Sequence, residues 1–230
     1  LWLCLLATGF FLVIDATFFA AAMHKVLEGG WFPLALGAGV FLVMTTWRRG
    51  RQILFERLRE ASVPLAPFLE SVFRQPPERV AGTAVFLTAT PEATPNALLH
   101  SLKHYKVLHE RVVFLTVEFR DVPWVPFDQR VKCETLGHNC WRVFVRYGFM
   151  NRPDVSKALE LCSAFGLEFE PMDTSFFLSR EKIVPTEERP GMALWRERLF
   201  AAVARNAGNI TDFFNIPTNR VVELGTRVEI

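Results

Sequence analysis

The chain has 230 residues, 50% of them hydrophobic, and a formal net charge of +2 at pH 7. This length suits one or two ordinary domains, and so small a charge argues against nucleic-acid binding, which needs clustered lysines and arginines. The four cysteines form no C-x-x-C pair and no dense disulfide framework, so reduced thiols in a cytoplasmic compartment are predicted.

Two apolar runs occupy the first 47 residues. The only charged side chains there are those of Asp15, Lys25 and Glu28. The run 1–22 is long enough, at about 1.5 Å per residue, to cross a hydrocarbon core of about 30 Å. The run 31–47 is shorter but uncharged, and a few interfacial residues make it long enough. Residues 1–47 are therefore predicted to form two transmembrane helices.

The residues that flank these runs predict their orientation. Arg48, Arg49 and Arg51 follow the second run directly, so the positive-inside rule places everything after it in the cytoplasm. The first run has no basic segment before it and no small-residue cleavage pattern after it, unlike a signal peptide. Because the chain begins at Leu1 instead of methionine, we expect further sequence upstream.

Asp15 is the candidate functional residue of the first run. A carboxylate at membrane depth costs about 2.5–3.5 kcal/mol on insertion scales, so it usually faces a partner or an ion path. One interpretation is a structural hydrogen bond to a neighbouring helix, helped by Thr17; the other is a proton or cation relay. The small residues near Gly37 and Gly39 favour close packing against further helices.

A linker helix is predicted over residues 48–78, because apolar residues recur there at helical spacing until Pro64 and Pro67 interrupt the pattern. Residues 79–230 are predicted to form one α/β domain. Its first unit is a strand at 80–90, a helix with Thr94 as N-cap, and a strand at 111–119, which together form a parallel β-α-β unit.

The rest of the domain combines strands and helices. The predicted elements are an antiparallel hairpin (129–136 and 141–147), a helix (154–165) ended by Gly166, a strand (174–184), a helix (194–207) and an extended tail (220–230). The sequence therefore predicts two transmembrane helices followed by a cytoplasmic α/β domain with a mixed sheet.

Motifs that would indicate an enzyme are missing from the sequence. It contains no G-x-G-x-x-G, no P-loop and no G-x-S-x-G nucleophile motif. The glycine-free loop 89–96 leaves open a small ligand at the carboxyl end of the first soluble strand. We predict no enzyme activity, no catalytic residue and no cofactor.

Two groups of possible metal ligands were weighed. His100 and His104 are four residues apart on one helix, with His109 nearby, but the flanking lysines favour solvated or packed histidines. Cys133, His138 and Cys140 surround the predicted hairpin without an obvious fourth ligand, so buried thiols are the simpler interpretation. We predict no metal site.

Several stretches of the sequence together resemble one family. They are FFLVID, EGGWFPL, MTTW, GTAVFLT, LLHSLKHYKVLHERVVFLTV, TSFFLSRE and FFNIPTNRVVELGTRVEI. In this respect the chain resembles the KUP/HAK/KT potassium uptake transporters over essentially its whole length. The resemblance implies the last two helices of a multi-pass, twelve-helix transporter of the bacterial inner membrane, in which K⁺ enters together with protons.

The resemblance also implies partners for this chain. They are membrane lipid, the upstream transmembrane helices and a second copy in a homodimer, with the cytoplasmic domain regulating or assembling the transporter. Related importers are inhibited by a cyclic dinucleotide, which makes it a possible regulatory ligand. Because the potassium site of the family lies on earlier helices, no potassium ligand is assigned here. The competing hypothesis is a membrane-tethered ligand-binding or signalling module without transport activity.

Overall fold

The two apolar runs form long helices in the computed structural model, which describes residues 1–186, 191–208 and 210–230. Helix α1 spans Trp2–Lys25 and helix α2 spans Trp31–Glu60. A kinked segment, Val26–Gly30, joins them, and Gly29 adopts φ 132° there, a conformation that favours glycine. Both helices are long and apolar enough to cross a membrane, so the prediction of two candidate membrane helices is confirmed.

Helix α2 continues without a break past the end of its apolar run, through the basic residues and on to Glu60. A second helix, α3 (Leu65–Arg74), follows after Pro64. Pro67 lies in the first turn of α3, where proline is tolerated, so the predicted interruption at Pro67 is wrong. The connection between the apolar run and the α/β domain is thus the part of α2 that follows Trp47, and then α3.

The α/β domain is built on one six-stranded sheet in the order β3-β4-β2-β1-β5-β6. Its strands are β1 (Glu78–Leu87), β2 (Val107–Arg120), β3 (Val131–Gly137), β4 (Cys140–Gly148), β5 (Thr174–Val184) and β6 (Val221–Glu229). Neighbouring strands are parallel except for β3 and β4. The predicted mixed sheet is confirmed, and the segment predicted as an extended tail is the edge strand β6.

The α-helices that follow β1 in the described part of the domain are α4 (Asn96–Tyr105), α5 (Phe127–Arg130), α6 (Val155–Glu160), α7 (Leu194–Arg205) and α8 (Ile210–Phe213). Three of them, α4, α6 and α7, lie where helices were predicted. Helices α5 and α8 were not predicted, and α5 occupies Gln129 and Arg130, which were predicted to begin a strand.

Strands β1 and β2 are parallel around α4, as predicted. The prediction of Thr94 as the N-cap of α4 is wrong, because Pro95 holds the N-cap position. The Ala97 N–H in the first turn instead donates a hydrogen bond to Ser179 Oγ at 3.0 Å.

Three apolar clusters hold these layers together. Helices α3 and α4 cover one face of the sheet around Phe86 and Phe114. Helix α6 and the 3₁₀ turn after it cover the other face around Leu115 and Val143. The third cluster, around Phe200, joins α2 to α7 and β6 and lies at the end of the sheet. This cluster fixes the position of α2 relative to the α/β domain.

Candidate functional site

Asp15 lies near the middle of α1, a helix in which no residue is buried. The hydroxyl of Thr17 donates to the backbone carbonyl of Val13 at 2.5 Å. Thr17 therefore satisfies its own helix instead of assisting Asp15. The role of Asp15 in the bundle or in a proton path stays a prediction.

The membrane helix and the α/β domain meet where α2 crosses α7. The Phe200 ring packs on the Trp47 ring with centroids 5.4 Å apart, and it lies so close to Gly50 that a Cβ there would overlap it. Arg196 Nε donates to the buried Thr46 Oγ1 at 3.0 Å. Since glycine alone leaves room for Phe200, this contact depends on the Gly50 backbone.

The last residues of the chain complete this contact. Ile53 and Leu54, on the next turn of α2, are 3% and 5% exposed and share one apolar cluster with Val228 and Ile230. The Ile230 N–H donates to the Val184 carbonyl at 3.2 Å, which ties the chain end to β5. We call this set the junction; its members are Thr46, Trp47, Gly50, Ile53, Leu54, Phe200, Val228 and Ile230.

A buried carboxylate fixes the chain that leads into α7. Glu197 is fully buried, and its Oε1 accepts hydrogen bonds from the backbone N–H groups of Gly191 at 3.1 Å and Met192 at 3.2 Å. A Cβ on Gly191 would lie 2.7 Å from Ile53 Cδ1, so this backbone is packed directly beneath α2. Glu197 therefore holds the start of α7 in the position that the junction requires.

One titratable group of the sheet lies close to the part of α2 that follows its apolar run. Burial raises the pKa of the Glu181 carboxyl, and a backbone hydrogen bond and the Arg51 guanidinium partly offset this effect. Arg51 also lies 4.5 Å from the centre of the Phe55 ring. Because Glu181 is on β5, its ionisation changes the charge between the sheet and α2.

The three histidines do not form one cluster. The His100 and His104 rings stack on α4 with centroids 6.0 Å apart. His109 is on β2, where its ring meets the edge of Phe177 at 5.6 Å. Burial lowers the pKa of His109, and Asp173 opposes that shift. Within residues 1–186, 191–208 and 210–230, no group of three or more His, Cys, Asp or Glu side chains is arranged to hold a metal ion.

The cysteines around the hairpin face different layers. Cys133 packs in the cluster that contains Cys162, whereas Cys140 is buried in the cluster on the opposite face of the sheet. His138, in the hairpin turn, stacks on Phe73 with centroids 4.3 Å apart. The three candidate zinc ligands therefore do not converge. No local pattern in the sequence predicts that the thiols of Cys133 and Cys162 are neighbours.

The loop 89–96 is covered by the chain itself. The Leu65 N–H donates to the Glu92 carbonyl at 2.9 Å, and the Thr94 N–H donates to the Val63 carbonyl at 2.8 Å. The segment between α2 and α3 thus pairs with the loop in which the sequence left open a small ligand. This segment fastens the linker to the carboxyl end of β1.

A cavity of about 420 Å³ lies beside the carboxyl end of β4, at the sheet edge where α/β domains usually bind ligands. Its lining is Phe127, Arg130, Tyr147, Arg152, Pro153, Asp154, Lys157, Ala158 and Asn215. The Arg130 guanidinium lies 4.2 Å from the Phe127 ring centre. Three cationic side chains and one carboxylate line the cavity, which suits an anionic ligand with an aromatic group.

A wider groove of about 950 Å³ lies at the opposite edge of the sheet. Arg79, in its wall, donates to the carbonyls of His109 at 2.7 Å and His138 at 2.9 Å. Arg111 donates to the Glu168 carbonyl at 2.8 Å. Because these guanidinium groups bind backbone carbonyls, their role is to fasten strands and loops together.

The sequence analysis missed the junction, although the sequence carries a signal for it. Trp47, Gly50 and Leu54 recur at helical spacing beyond the basic edge of the span, so one face of α2 stays apolar or small after the membrane segment ends. The partners of this face, Phe200 and Ile230, are distant in sequence. Periodicity alone cannot identify them.

Comparisons with known proteins match both parts of the chain. A model of the K+ potassium transporter integral membrane domain matches residues 1–52, and a model of the K+ potassium transporter C-terminal domain matches residues 81–230. The chain is 60% identical, over 100% of its length, to a probable potassium transport system protein Kup 2 of Cupriavidus necator. It is 57% identical over 99% of its length to a probable Kup protein of Methylibium petroleiphilum.

A third relative is the probable potassium transport system protein Kup of Nitrosospira multiformis, which is 56% identical over 98% of the chain. The chain spans 37% of the Cupriavidus protein and 36% of the other two. No solved structure matches the chain.

Proposed function

We propose, since this chain belongs to the K+ potassium transporter family, that it supplies the last two transmembrane helices and the cytoplasmic domain of a potassium uptake transporter. The observation that carries this proposal is the order of the two family matches, membrane domain first and C-terminal domain second, on two apolar helices and an α/β domain. The parent protein would be a multi-pass protein of the bacterial inner membrane.

The proposed orientation places the α/β domain in the cytoplasm. Arg48, Arg49 and Arg51 follow the apolar run of α2 directly, and an excess of arginine marks the cytoplasmic side of a span. The turn between α1 and α2 then lies outside the cell. A cysteine-reactive probe that does not cross membranes would label a cysteine introduced at Glu28 from outside intact cells, and one introduced at Glu60 only after lysis.

The proposed transport reaction is uptake of K⁺ together with protons, with no covalent chemistry and no resident cofactor. The potassium ligands lie outside this chain in our proposal. Asp15 supports the helix bundle or a proton path, and two variants of the intact transporter distinguish these roles. Asp15→Asn preserves a hydrogen-bonding side chain but cannot carry a proton, whereas Asp15→Leu removes both properties. Uptake retained by the first variant and lost by the second would assign the structural role.

The cytoplasmic domain is proposed to regulate or assemble the transporter, in a homodimer. Support comes from the continuity of α2 with the junction: one helix runs from the membrane segment into the buried contacts of Gly50 and Leu54. A movement of the domain would therefore be transmitted to α2 as a rigid displacement. Crosslinking of the intact protein in membranes would test the dimer.

The proposed regulatory ligand of the α/β domain is a cyclic dinucleotide. The cavity of about 420 Å³ supports this choice, since it offers the exposed Arg152 to a phosphate group and Phe127 to a base. Arg130, in the same lining, donates to the Val125 carbonyl at 2.9 Å. Calorimetry of the intact protein with a cyclic dinucleotide tests it, with Arg152→Gln as the variant and Arg74→Gln, at an exposed residue of α3, as the control. Equal heats from both variants and the unchanged protein would contradict the site.

Growth on low potassium tests the function as a whole. The intact parent protein is expected to restore growth to cells that lack potassium uptake, and the 230-residue chain alone is expected not to do so. An intact protein that is inserted correctly, binds a nucleotide and carries no potassium would favour the membrane-tethered ligand-binding module instead.

A further inference from the structure

The first turn of α7 lies level with the membrane end of α2. Arg196 donates to Oγ1 of Thr46, and the Trp47 ring packs on Phe200. Thr46 and Trp47 are the last two residues of the apolar run. In the proposed orientation of α2, the start of α7 is therefore at the depth of the cytoplasmic headgroups.

The outward side of this turn has the chemistry of a membrane interface. Trp195 is 54% exposed although its neighbours in α7, Glu197 and Phe200, are buried. Tryptophan is enriched at the membrane–water interface, where its ring is apolar and its N–H group stays hydrated. Lipid headgroups around Trp195 would accept a hydrogen bond from the indole N–H and cover part of the exposed ring.

Exposed arginines lie on both helices of this contact, α2 and α7. Arg48, Arg49 and Arg198 are exposed, and none of the three has an ion-pair partner among residues 1–186, 191–208 and 210–230. The only acidic residue of α7, Glu197, is fully buried and bound to backbone N–H groups. The exposed arginines of α2 and α7 therefore favour contact with anionic lipid headgroups.

We propose that the start of α7 is a second membrane anchor, in which Trp195 rests among the headgroups of the cytoplasmic leaflet and Arg198 binds anionic phospholipid. This inference rests on the proposed orientation of α2. The α/β domain is then held at two places, covalently through α2 and by lipid contact through α7. Loss of the lipid contact would leave the covalent connection through α2 and the junction to hold the domain.

Tryptophan fluorescence in bilayer discs tests this anchor in the intact transporter. Lipids brominated near the headgroup quench nearby indoles, and the difference between the unchanged protein and Trp195→Phe isolates the contribution of Trp195. We expect bromolipid to quench this contribution. We also expect brominated phosphatidylglycerol to be enriched near Trp195 roughly five-fold over brominated phosphatidylcholine, which is the effect of one arginine near an anionic surface. Trp141→Phe is the control, because Trp141 is at the start of β4.

The charge is tested separately. Arg198→Gln is expected to reduce the preference for phosphatidylglycerol, with Arg48 and Arg49 still present. In contrast, Arg59→Gln, about 18 Å farther along α2 than Trp47 at ~1.5 Å per residue, is expected to leave it unchanged.

If bromolipid does not quench the fluorescence of Trp195, the proposed anchor is wrong. This holds whether aqueous iodide quenches that fluorescence or another part of the protein covers the residue. Equal quenching by the two lipids would overturn the anionic preference.

Trp47→Phe, measured in the same way, separates failure of this inference from failure of the proposed function. If bromolipid quenches the Trp47 contribution and not that of Trp195, the orientation of α2 stands and the anchor alone is wrong. If neither is quenched, the proposed membrane orientation is wrong as well. Transport is measured separately, by growth on low potassium.

Discussion

The Phe200 ring of α7 lies directly against the Gly50 backbone of α2, where a side chain on Gly50 would overlap it. This contact joins a helix from the membrane segment to a helix that is 150 residues later in the chain. Because α2 is continuous from Trp31 to Glu60, the contact determines how the α/β domain is oriented relative to the apolar run.

Substitution of Gly50 by alanine is expected to destabilise the junction. The added methyl group overlaps Phe200, and overpacking costs roughly 1–3 kcal/mol, more than the gain of up to about 1 kcal/mol in helix propensity. Gly37→Ala is the matched control, because no atom lies within 4 Å of a Cβ at Gly37. Thermal unfolding of the full chain in detergent micelles should show a lower midpoint for Gly50→Ala alone. Equal midpoints would contradict the packing.

Glu197→Ala is expected to release the start of α7. The substitution leaves the partly buried N–H groups of Gly191 and Met192 without their acceptor, which costs up to roughly 1–3 kcal/mol. Glu197→Gln retains a carbonyl oxygen in the same place and should lose less. Hydrogen exchange measured by mass spectrometry is expected to be faster in α7 in the alanine variant than in the glutamine variant. Unchanged protection in both would show that the carboxylate is dispensable.

The free energy of unfolding is expected to depend on the ionisation of Glu181. Burial raises its pKa in the folded chain above the value of about 4.3 in the unfolded chain. The folded state therefore binds more protons between the two pKa values, and stability falls as pH rises through that window. Below the unfolded pKa this contribution is fully present.

Glu181→Gln should remove this part of the pH dependence, so that its stability relative to the unchanged chain rises from pH 4 towards neutrality. Denaturant unfolding at several pH values measures it, and the exposed Glu78→Gln controls for the loss of one carboxylate. Arg51→Gln should extend the pH window upward, since Arg51 lowers the pKa of Glu181. A constant difference between Glu181→Gln and the unchanged chain would refute the assignment.

Thiol alkylation is expected to differ between the two faces of the sheet. Burial raises the pKa of Cys140 to about 11, so roughly one part in a thousand is thiolate at pH 8. A hydrogen bond from Cys162 lowers the pKa of Cys133, which is half-buried. Iodoacetamide at pH 8 should therefore modify Cys133 at least about ten times faster than Cys140.

Mass spectrometry of the alkylated peptides measures these rates. Cys162→Ala removes the donor and should slow the modification of Cys133, whereas Cys162→Ser retains a donor and should slow it less. If Cys140 reacts as fast as Cys133, the assignment of the two thiols to opposite, unequally buried layers is incorrect.

Local patterns predicted most of the secondary structure. The strand Thr174–Val184 agrees with its predicted bounds, because a β-branched and aromatic run has one strong preference. Differences occur where tertiary contacts replace local signals. Thr94 has the side chain of an N-cap, but Ser179 on a neighbouring strand accepts the hydrogen bond instead. The part of α2 that follows Trp47 stays helical because its apolar face packs on Phe200 and Ile230.

The sequence by itself determined the two apolar helices, the basic edge after Trp47, the strand and helix order of the α/β domain and the resemblance to potassium transporters. Each of these depends on residues that are neighbours in the chain. Only the tertiary structure decided that Gly50 meets Phe200, that Cys133 and Cys140 face opposite layers, and that Trp195 is level with the end of the apolar run. Such contacts join residues far apart in sequence, and their geometry depends on how whole helices pack on the sheet.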